Sequence, residues 1–222
     1  MLRPQSKVTL IHSRQTLLSS EPLPAEFSAK TLELLKESNV ELVLGARVED
    51  TVPANDSTSA KYTLKLSNGE EINADHVINA VSKFSPTSSY LPSGACDSEG
   101  YIRITSSLEF SGDVPNKEYH YAAGDIACWS GIKRGGAAMH QGHFAVVNIH
   151  QKMMAERYKT EPKFVELAEV KPMMALALGA TAVGYFPATG ISSGDEVRNM
   201  FFNEDLGHQS KFESLADVLD FG

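Results

Sequence analysis

The sequence predicts an α/β fold. Three features carry that expectation: short β-rich runs flanking a helical stretch near the start, an Asn-Gly hairpin signature, and a Gly-Asp turn leading into a long Gly/Ala-rich helix. Hydrophobic residues make up 42% of the 222, enough to bury a core, and 22% charged residues is ordinary for a water-soluble chain.

Residues 7–13, KVTLIHS, form a short β-rich run. Residues 23–39, LPAEFSAKTLELLKESN, place Phe27, Leu34 and Leu35 at helical intervals, with Pro24 and Asn39 as boundary residues. Residues 40–45, VELVLG, make a second strand. In YTLKLSNGEEI, Tyr62, Leu64 and Leu66 alternate up to Asn68-Gly69, two residues that tolerate positive φ and so favour a hairpin. The polar PANDSTSA before it is a loop tip, and residues 76–81, HVINAV, predict a further buried strand.

SKFSPTSSYLPSGACDSEG is rich in Ser, Pro and Gly and reads as a linker between lobes. YIRI is a short strand, and residues 118–124, EYHYAAG, a strand ending at a glycine. Residues 135–157 form a long helix with Ala137, Ala138, Phe144, Val147 and Ile149 for packing. KPMMALALGATAVGYFP predicts two short strands around a Gly-Ala turn, followed by a polar tail of helical character that ends in FESLADVLDFG. The whole order is that of an α/β nucleotide-binding architecture of Rossmann type.

The formal charge of -8, from 20 basic and 28 acidic residues, argues against nucleic acid as a main partner, because phosphate binding needs a basic face. The two cysteines, Cys96 and Cys128, stand in no C-x-x-C, which fits a reducing, intracellular compartment. No run reaches the roughly 18–20 apolar residues of a membrane span. MLRPQSKVTLIHS lacks the apolar centre of a signal peptide, and Leu2 stands where N-myristoylation requires glycine. The expected location is cytoplasmic.

In HYAAGDIACW, Ala122, Ala123 and Gly124 carry no bulk to block a ligand from the backbone. The Asp125 carboxylate can accept hydrogen bonds from sugar-type hydroxyls, and the following helix offers free N–H groups and a positive dipole end. That pairing suits a ligand with a polyol chain and a polar ring. The competing explanation is a turn residue that caps a neighbouring segment.

Strand, AAGDIA, loop and Gly/Ala-rich helix together resemble the second flavin-binding motif of flavoproteins with two dinucleotide-binding domains. KVTLIHSRQTLLSSEPLPAEFSAKTLELLKESNVELVLGARV, with the spacing from AAGDIA to AVVNI, is similar to the apoptosis-inducing-factor-like branch. Within it the likeness is to the AIF-homologous mitochondrion-associated inducer of death, or ferroptosis suppressor protein, group and its fungal-type relatives. The resemblance covers most of residues 7–155.

It implies an FAD-dependent NAD(P)H oxidoreductase that passes electrons to a quinone or another acceptor. Gly124, Asp125 and Ile126 match the motif whose aspartate binds the ribityl chain of FAD. Lys133, Arg134 and Ala137 fall where the loop and helix start approach the flavin ring, and Lys133 is the side chain expected to act electrostatically beside it. HVINAVSKFSPTSSYL matches the segment leaving the nicotinamide-nucleotide domain, with Val81 and Ser82 at that nucleotide. Ser82 replaces the glycine usual there, which weakens the expected dinucleotide contact.

The implied division is residues 1–81 as the second half of an NAD(P)H-binding domain, 82–157 as the C-terminal part of an FAD-binding domain, and 158–222 as a strand and helix extension. Neither Gly-rich G-x-G-x-x-G fingerprint of such enzymes is present. The resemblance thus implies the C-terminal half of a longer flavoprotein, and a chain that purifies colourless. Peripheral contact at a mitochondrial or lipid-droplet surface stays open, as does oligomeric state.

Where a Rossmann strand meets the adenosine ribose, a carboxylate favours NAD and an arginine accommodates the NADP phosphate. LIHSRQ offers His12, Ser13 and Arg14 and no immediate carboxylate, which leans toward NADPH or dual use; the alternative is that Arg14 is a solvated surface charge. His140 and His143 share a helix face but have no third ligand placed by sequence, so no metal site is expected. Cys128 reads as a small buried hydrophobe, and the Met-rich KMMAER and KPMMALAL as core. Two readings from other directions remain: a type-II NADH:quinone or monodehydroascorbate-type reductase, and a cofactor-free remnant acting as an interaction or regulatory module.

Overall fold

A computed structural model describes residues 7–54, 60–81 and 84–203. It is an α/β chain whose described residues divide into two compact units, one built from the segments up to residue 81 and from 174 to 203, the other from residues 84–173.

The first unit opens with a βαβ element. Strand β1 (Val8–His12) leads to helix α1 (Ala25–Glu37) and then to β2 (Val40–Leu44), which pairs with β1 in parallel, Val8 opposite Val40 and His12 opposite Leu44. Helix α1 forms because Phe27, Thr31 and Leu34 repeat on one face and are buried there, with Ser28 beside them. Glu26 in the first turn and Lys36 in the last complement the helix dipole. The helix ends as Ser38 N–H returns to Leu34 O at 3.0 Å and Asn39 takes φ 56°.

Strands β3 (Val48–Pro53), β4 (Tyr62–Leu66) and β5 (Glu71–Ala74) form an antiparallel meander. Leu64 and Leu66 of β4 point to one side and bury against Ala46, the alternation the sequence predicted. The turn between β4 and β5 needs positive φ only at Gly69, at 85°, with Gly69 N–H bonded to Leu66 O at 2.9 Å. Part of the loop tip before β4, residues 55–59, lies outside the described residues.

After residue 173 the chain adds β8 (Met174–Leu178), β9 (Thr181–Phe186) and β10 (Gly190–Ser193), an antiparallel sheet covered by the short helix α3 (Asp195–Phe201). The Gly-Ala turn lies where expected, with Gly179 at φ 63°. Ala182, Val183, Met174 and Val197 make its core, and the Phe27 and Tyr185 rings, 6.3 Å apart, join α1 to β9. The tail sequence FESLADVLDFG is outside the described residues.

The second unit packs β6 (Ile102–Arg103), β7 (Ala127–Cys128) and the 24-residue helix α2 (Gly135–Tyr158) around Ile102, Ile104, Leu108, Phe110 and Ala145. Strands β6 and β7 pair in parallel, Ile102 opposite Ala127. Among the described residues no helix is long and apolar enough to cross a membrane.

Several expectations are corrected. Residues 76–81 are neither a strand nor buried: Ile78 is 90% exposed and Val81 88%. An apolar segment becomes a buried strand only when a neighbouring strand takes up its backbone N–H and C=O groups, and among the described residues none lies beside it. Residues 118–124 are not a strand either. A 3₁₀ turn (Lys117–Tyr119) is followed by extended chain with one bridge, Glu109 opposite Tyr121. Cys128 is exposed. In KMMAER, Met153 is 64% exposed and Met154 is exposed too, whereas Met174 of KPMMALAL is buried and Met173 is not. On α2 the buried residues are Gln141, Ala145, Asn148 and Ala155, while Ala137 and Ile149 are exposed.

Candidate functional site

The Gly-Asp pair forms a tight turn in the second unit. Ala122 N–H bonds to Leu108 O at 3.1 Å, Gly124 turns the chain at φ 81°, and Ala127 N–H closes on Gly124 O at 3.0 Å. Only glycine takes that φ without strain, and a Cβ at Gly124 would stand 3.4 Å from Ala138 Cβ of α2. Asp125 is therefore projected from the apex of a turn held against the helix, and it is exposed. Ile126 faces the other way, packed against the core cluster, with its carbonyl accepting Ile102 N–H at 2.9 Å.

The loop from Cys128 to Arg134 is stapled to the chain beyond α2. Trp129 Nε1 donates to Ala168 O at 3.2 Å, and Ser130 Oγ accepts Val170 N–H at 2.8 Å. Lys133 folds back to donate to Ala127 O, with its ammonium 4.6 Å from the Tyr101 ring centroid. Arg134 is exposed at the N-cap of α2 and makes no side-chain cap bond; its Nη1 donates to Lys133 O at 2.6 Å. Because the first helix bond runs from Ala138 N–H to Arg134 O, at 3.0 Å, the N–H groups of Gly135, Gly136 and Ala137 have no partner within the helix. Nothing lies within 4 Å of where a Cβ would stand on Gly135 or Gly136.

These pieces line a small open cleft, formed by Gly124, Asp125, Lys133 and Ala137 together with Trp129, Ser130, Ile132, Ala138 and Gln141. Beside it, Asp97 and Cys128 interact with Lys133 of the cleft. Burial alone would raise the Asp97 carboxyl, but backbone N–H groups of Tyr101, Glu99 and Gly100 and the Cys128 thiol together hold it below its ordinary value. Partial desolvation of its sulfur, although the residue is exposed, and then the Asp97 carboxylate push the Cys128 thiol up. Burial pulls the Lys133 ammonium down, opposed by Cys128, Asp125 and Asp97.

The remaining predicted residues belong to the first unit. His12 ends β1, and its ring Nε2 is enclosed without a hydrogen-bond partner. Ser13 and Arg14 follow on the surface, with Arg14 Nη1 donating to Ser19 Oγ at 3.2 Å. Gly45, at φ 74°, runs beneath the Gln15 carboxamide and bonds through its N–H to Arg14 O at 3.1 Å. Val81 is exposed, and Ser82 lies outside the described residues.

The donor set fits the groups the sequence resemblance implies. An exposed carboxylate beside an open helix N-terminus matches a polyol joined to an electron-rich ring. The unpartnered His12 nitrogen stands at the end of the parallel strand β1, with Arg14 two residues further on. Sequence reasoning missed Gln141, though its spacing from Ala137 and Ala138 places it on the same helix face.

The family model described as pyridine nucleotide-disulphide oxidoreductase matches residues 2–142. Oxidoreductase OXR1 of Ajellomyces capsulatus is 51% identical over 208 residues, a stretch covering 93% of this chain and 45% of that protein. The chain thus spans less than half the length of that relative. Among solved structures, an NAD-dependent persulfide reductase from A. fulgidus aligns with a TM-score of 0.58 at 21% identity, covering 80% of this chain and 31% of that one. A water-forming NADH oxidase from Lactobacillus brevis, bound to NADH, aligns with a TM-score of 0.55 at 18% identity, over 80% of this chain and 36% of that one. At such identities the structural likeness concerns the fold.

Proposed function

Because the chain belongs to the pyridine nucleotide-disulphide oxidoreductase family, we propose that it supplies the ribityl and ring-facing half of an FAD site and the ribose end of an NAD(P)H site. The activity proposed for the whole protein is electron transfer from NAD(P)H through flavin to a quinone or another acceptor, in the apoptosis-inducing-factor-like manner. Bound flavin supplies the hydride and electron chemistry.

The observation that carries this reading is the placement of Asp125 at the apex of a turn, in one cleft with the start of α2 and Lys133. Asp125 would accept hydrogen bonds from the ribityl hydroxyls. The N–H groups of Gly135, Gly136 and Ala137 would face the electron-rich edge of the ring, where the helix dipole favours negative charge. Lys133, anchored on Ala127 O and on Tyr101, would add a fixed positive charge that needs no reorganisation. Hydride transfer needs no side-chain acid or base, so the chain's task is binding and orientation. His12, Ser13, Arg14, Val81 and Ser82 are the residues assigned to the nicotinamide nucleotide, with NADPH favoured by Arg14 and by the lack of a carboxylate in LIHSRQ. A cytoplasmic location with peripheral contact at a mitochondrial or lipid-droplet surface is part of the same proposal.

The single tryptophan, Trp129, lines the cleft and reports on it directly. Added FAD is expected to quench Trp129 fluorescence in a saturable way, and Asp125→Ala to raise the required FAD concentration on the order of tenfold. Equal quenching of both chains would remove Asp125 from the site. The exposed Ile78 and Val81 favour a second reading, a cofactor-free interaction module, which requires that FAD leave Trp129 unquenched.

A further inference from the structure

We propose that Gln141 is a positioning residue that holds the Gly124-Asp125 turn in its ligand-receiving conformation, an inference that rests on the flavin reading above. Gln141 lies on the buried face of α2 and is only 8% exposed. Its Oε1 accepts the Gly124 N–H at 2.7 Å, across seventeen positions of sequence. A backbone N–H can only donate, so this bond fixes which end of the amide faces the turn and leaves the two N–H donors of Nε2 free of it. The residue also lines the cleft.

The reason this bond acts on the ligand side is local geometry. Gly124 is the one residue of the turn at positive φ, 81°, and glycine by itself samples both signs of φ almost equally. The bonds flanking the turn on its far side, Ala127 N–H to Gly124 O and Ile102 N–H to Ile126 O, fix where the chain leaves it. On the entry side Ala122 N–H bonds to Leu108 O at 3.1 Å, two residues before the turn, and the bond from Gly124 N–H to Gln141 is the one made at the turn glycine itself. Without that bond the chain keeps its anchors at Ala122 and Ala127, but the peptide entering Gly124 is free to rotate, and the Asp125 carboxylate loses its fixed direction relative to the start of the same helix. Gln141 therefore couples Asp125 to α2: one end of the helix receives the ligand, and a side chain within two turns of that end aims the carboxylate.

The test uses the full chain labelled with ¹⁵N, as wild type, Gln141→Leu and Gln141→Glu. Two quantities are read: hydrogen exchange of the Gly124 amide without ligand, and the FAD concentration that half-quenches Trp129. Gln141→Leu removes the acceptor while keeping the volume, and Gln141→Glu keeps an oxygen in its place. Gly124 exchange is expected to accelerate about tenfold in Gln141→Leu and to return toward the wild-type rate in Gln141→Glu. The FAD concentration for half-quenching is expected to rise about tenfold in Gln141→Leu.

Unchanged Gly124 exchange in Gln141→Leu overturns the proposal, as does faster exchange with unchanged FAD response. Wild-type quenching with a normal response from Gln141→Leu removes the role of Gln141 alone. Absence of quenching in all three chains, wild type included, removes the flavin reading and the role together. A Gln141→Leu chain that fails to fold is recognised by collapse of amide dispersion throughout; Gln141→Glu then decides, since it must keep Gly124 protection if the acceptor oxygen is what matters.

Discussion

Asp97, Cys128 and Lys133 are separated along the sequence, yet the fold makes them electrostatic neighbours, and their protonation is set jointly. The thiolate is the reactive form of cysteine, and an adjacent carboxylate disfavours it. Asp97→Asn is therefore expected to lower the Cys128 value and speed its alkylation by iodoacetamide near pH 8, whereas Lys133→Met should slow it. A pH series of modification rates followed by mass spectrometry checks both directions. Tyr121 makes a second prediction at this scale. Burial first, and then the Glu109 carboxylate that accepts its hydroxyl at 3.3 Å, push its phenol up to about 12 from an ordinary 10.0. Below pH 10 the phenol is protonated in both folded and unfolded chain, so its contribution is fully present. As pH rises from 10 to about 12 the unfolded chain releases the proton first, and that stability is lost. Urea midpoints are expected to fall across that window and to fall less in Tyr121→Phe.

Helix α2 shows why a correct element does not give a correct face. Its bounds were legible, since a Gly/Ala-rich start and a long helix-forming run leave little choice. Its buried face was not, because apolar residues occur all round it and two of the buried positions are polar. Asn148 is fully buried and satisfied three times over: Nδ2 donates to Ser107 O at 2.9 Å and to Val165 O at 2.8 Å, and Oδ1 accepts Val165 N–H at 2.8 Å. It fastens two loops to the helix in place of strand pairing. Asn148→Leu keeps the volume but orphans these backbone groups, which should cost about 3 kcal/mol in urea denaturation. Beside it, Lys152 and Glu109 pair at 3.3 Å, and Lys152 also lies 4.5 Å from the Tyr119 ring. Both Asn148 and Gln141 would score as surface residues by composition, and both became interior residues because loop backbone needed partners there.

At the scale of the molecule, the β3–β5 meander and the β8–β10 sheet each form from residues close in sequence, and the parallel β1–β2 pair forms across the single helix α1. Such elements are decided locally, which is why β-branched runs, Asn-Gly and Gly-Ala turns located most of them in advance. Residues 76–81 are the counterexample: their composition is that of an interior strand, and they stand open. The double change Ile78→Ser with Val81→Ser should reduce binding of the dye ANS while altering stability by no more than about 0.5 kcal/mol, because these side chains are solvent-exposed. An unchanged ANS signal, or a large loss of stability, would contradict the exposure seen there.

The sequence by itself determined the α/β class, helices α1 and α2, the β4–β5 and β8–β9 hairpins and the Gly-Asp turn, because each follows from backbone preference and hydrophobic period within a short window. It also singled out Gly124, Asp125, Lys133 and Ala137, which the folded chain gathers into one cleft. Only the tertiary structure decided that Trp129 and Gln141 complete that cleft, that Asn148 is interior, that Cys128 answers to Asp97, and that residues 76–81 pair with no described strand. Those outcomes depend on which distant backbone groups find hydrogen-bond partners, and a carbonyl or an N–H carries no side-chain signature of where its partner lies.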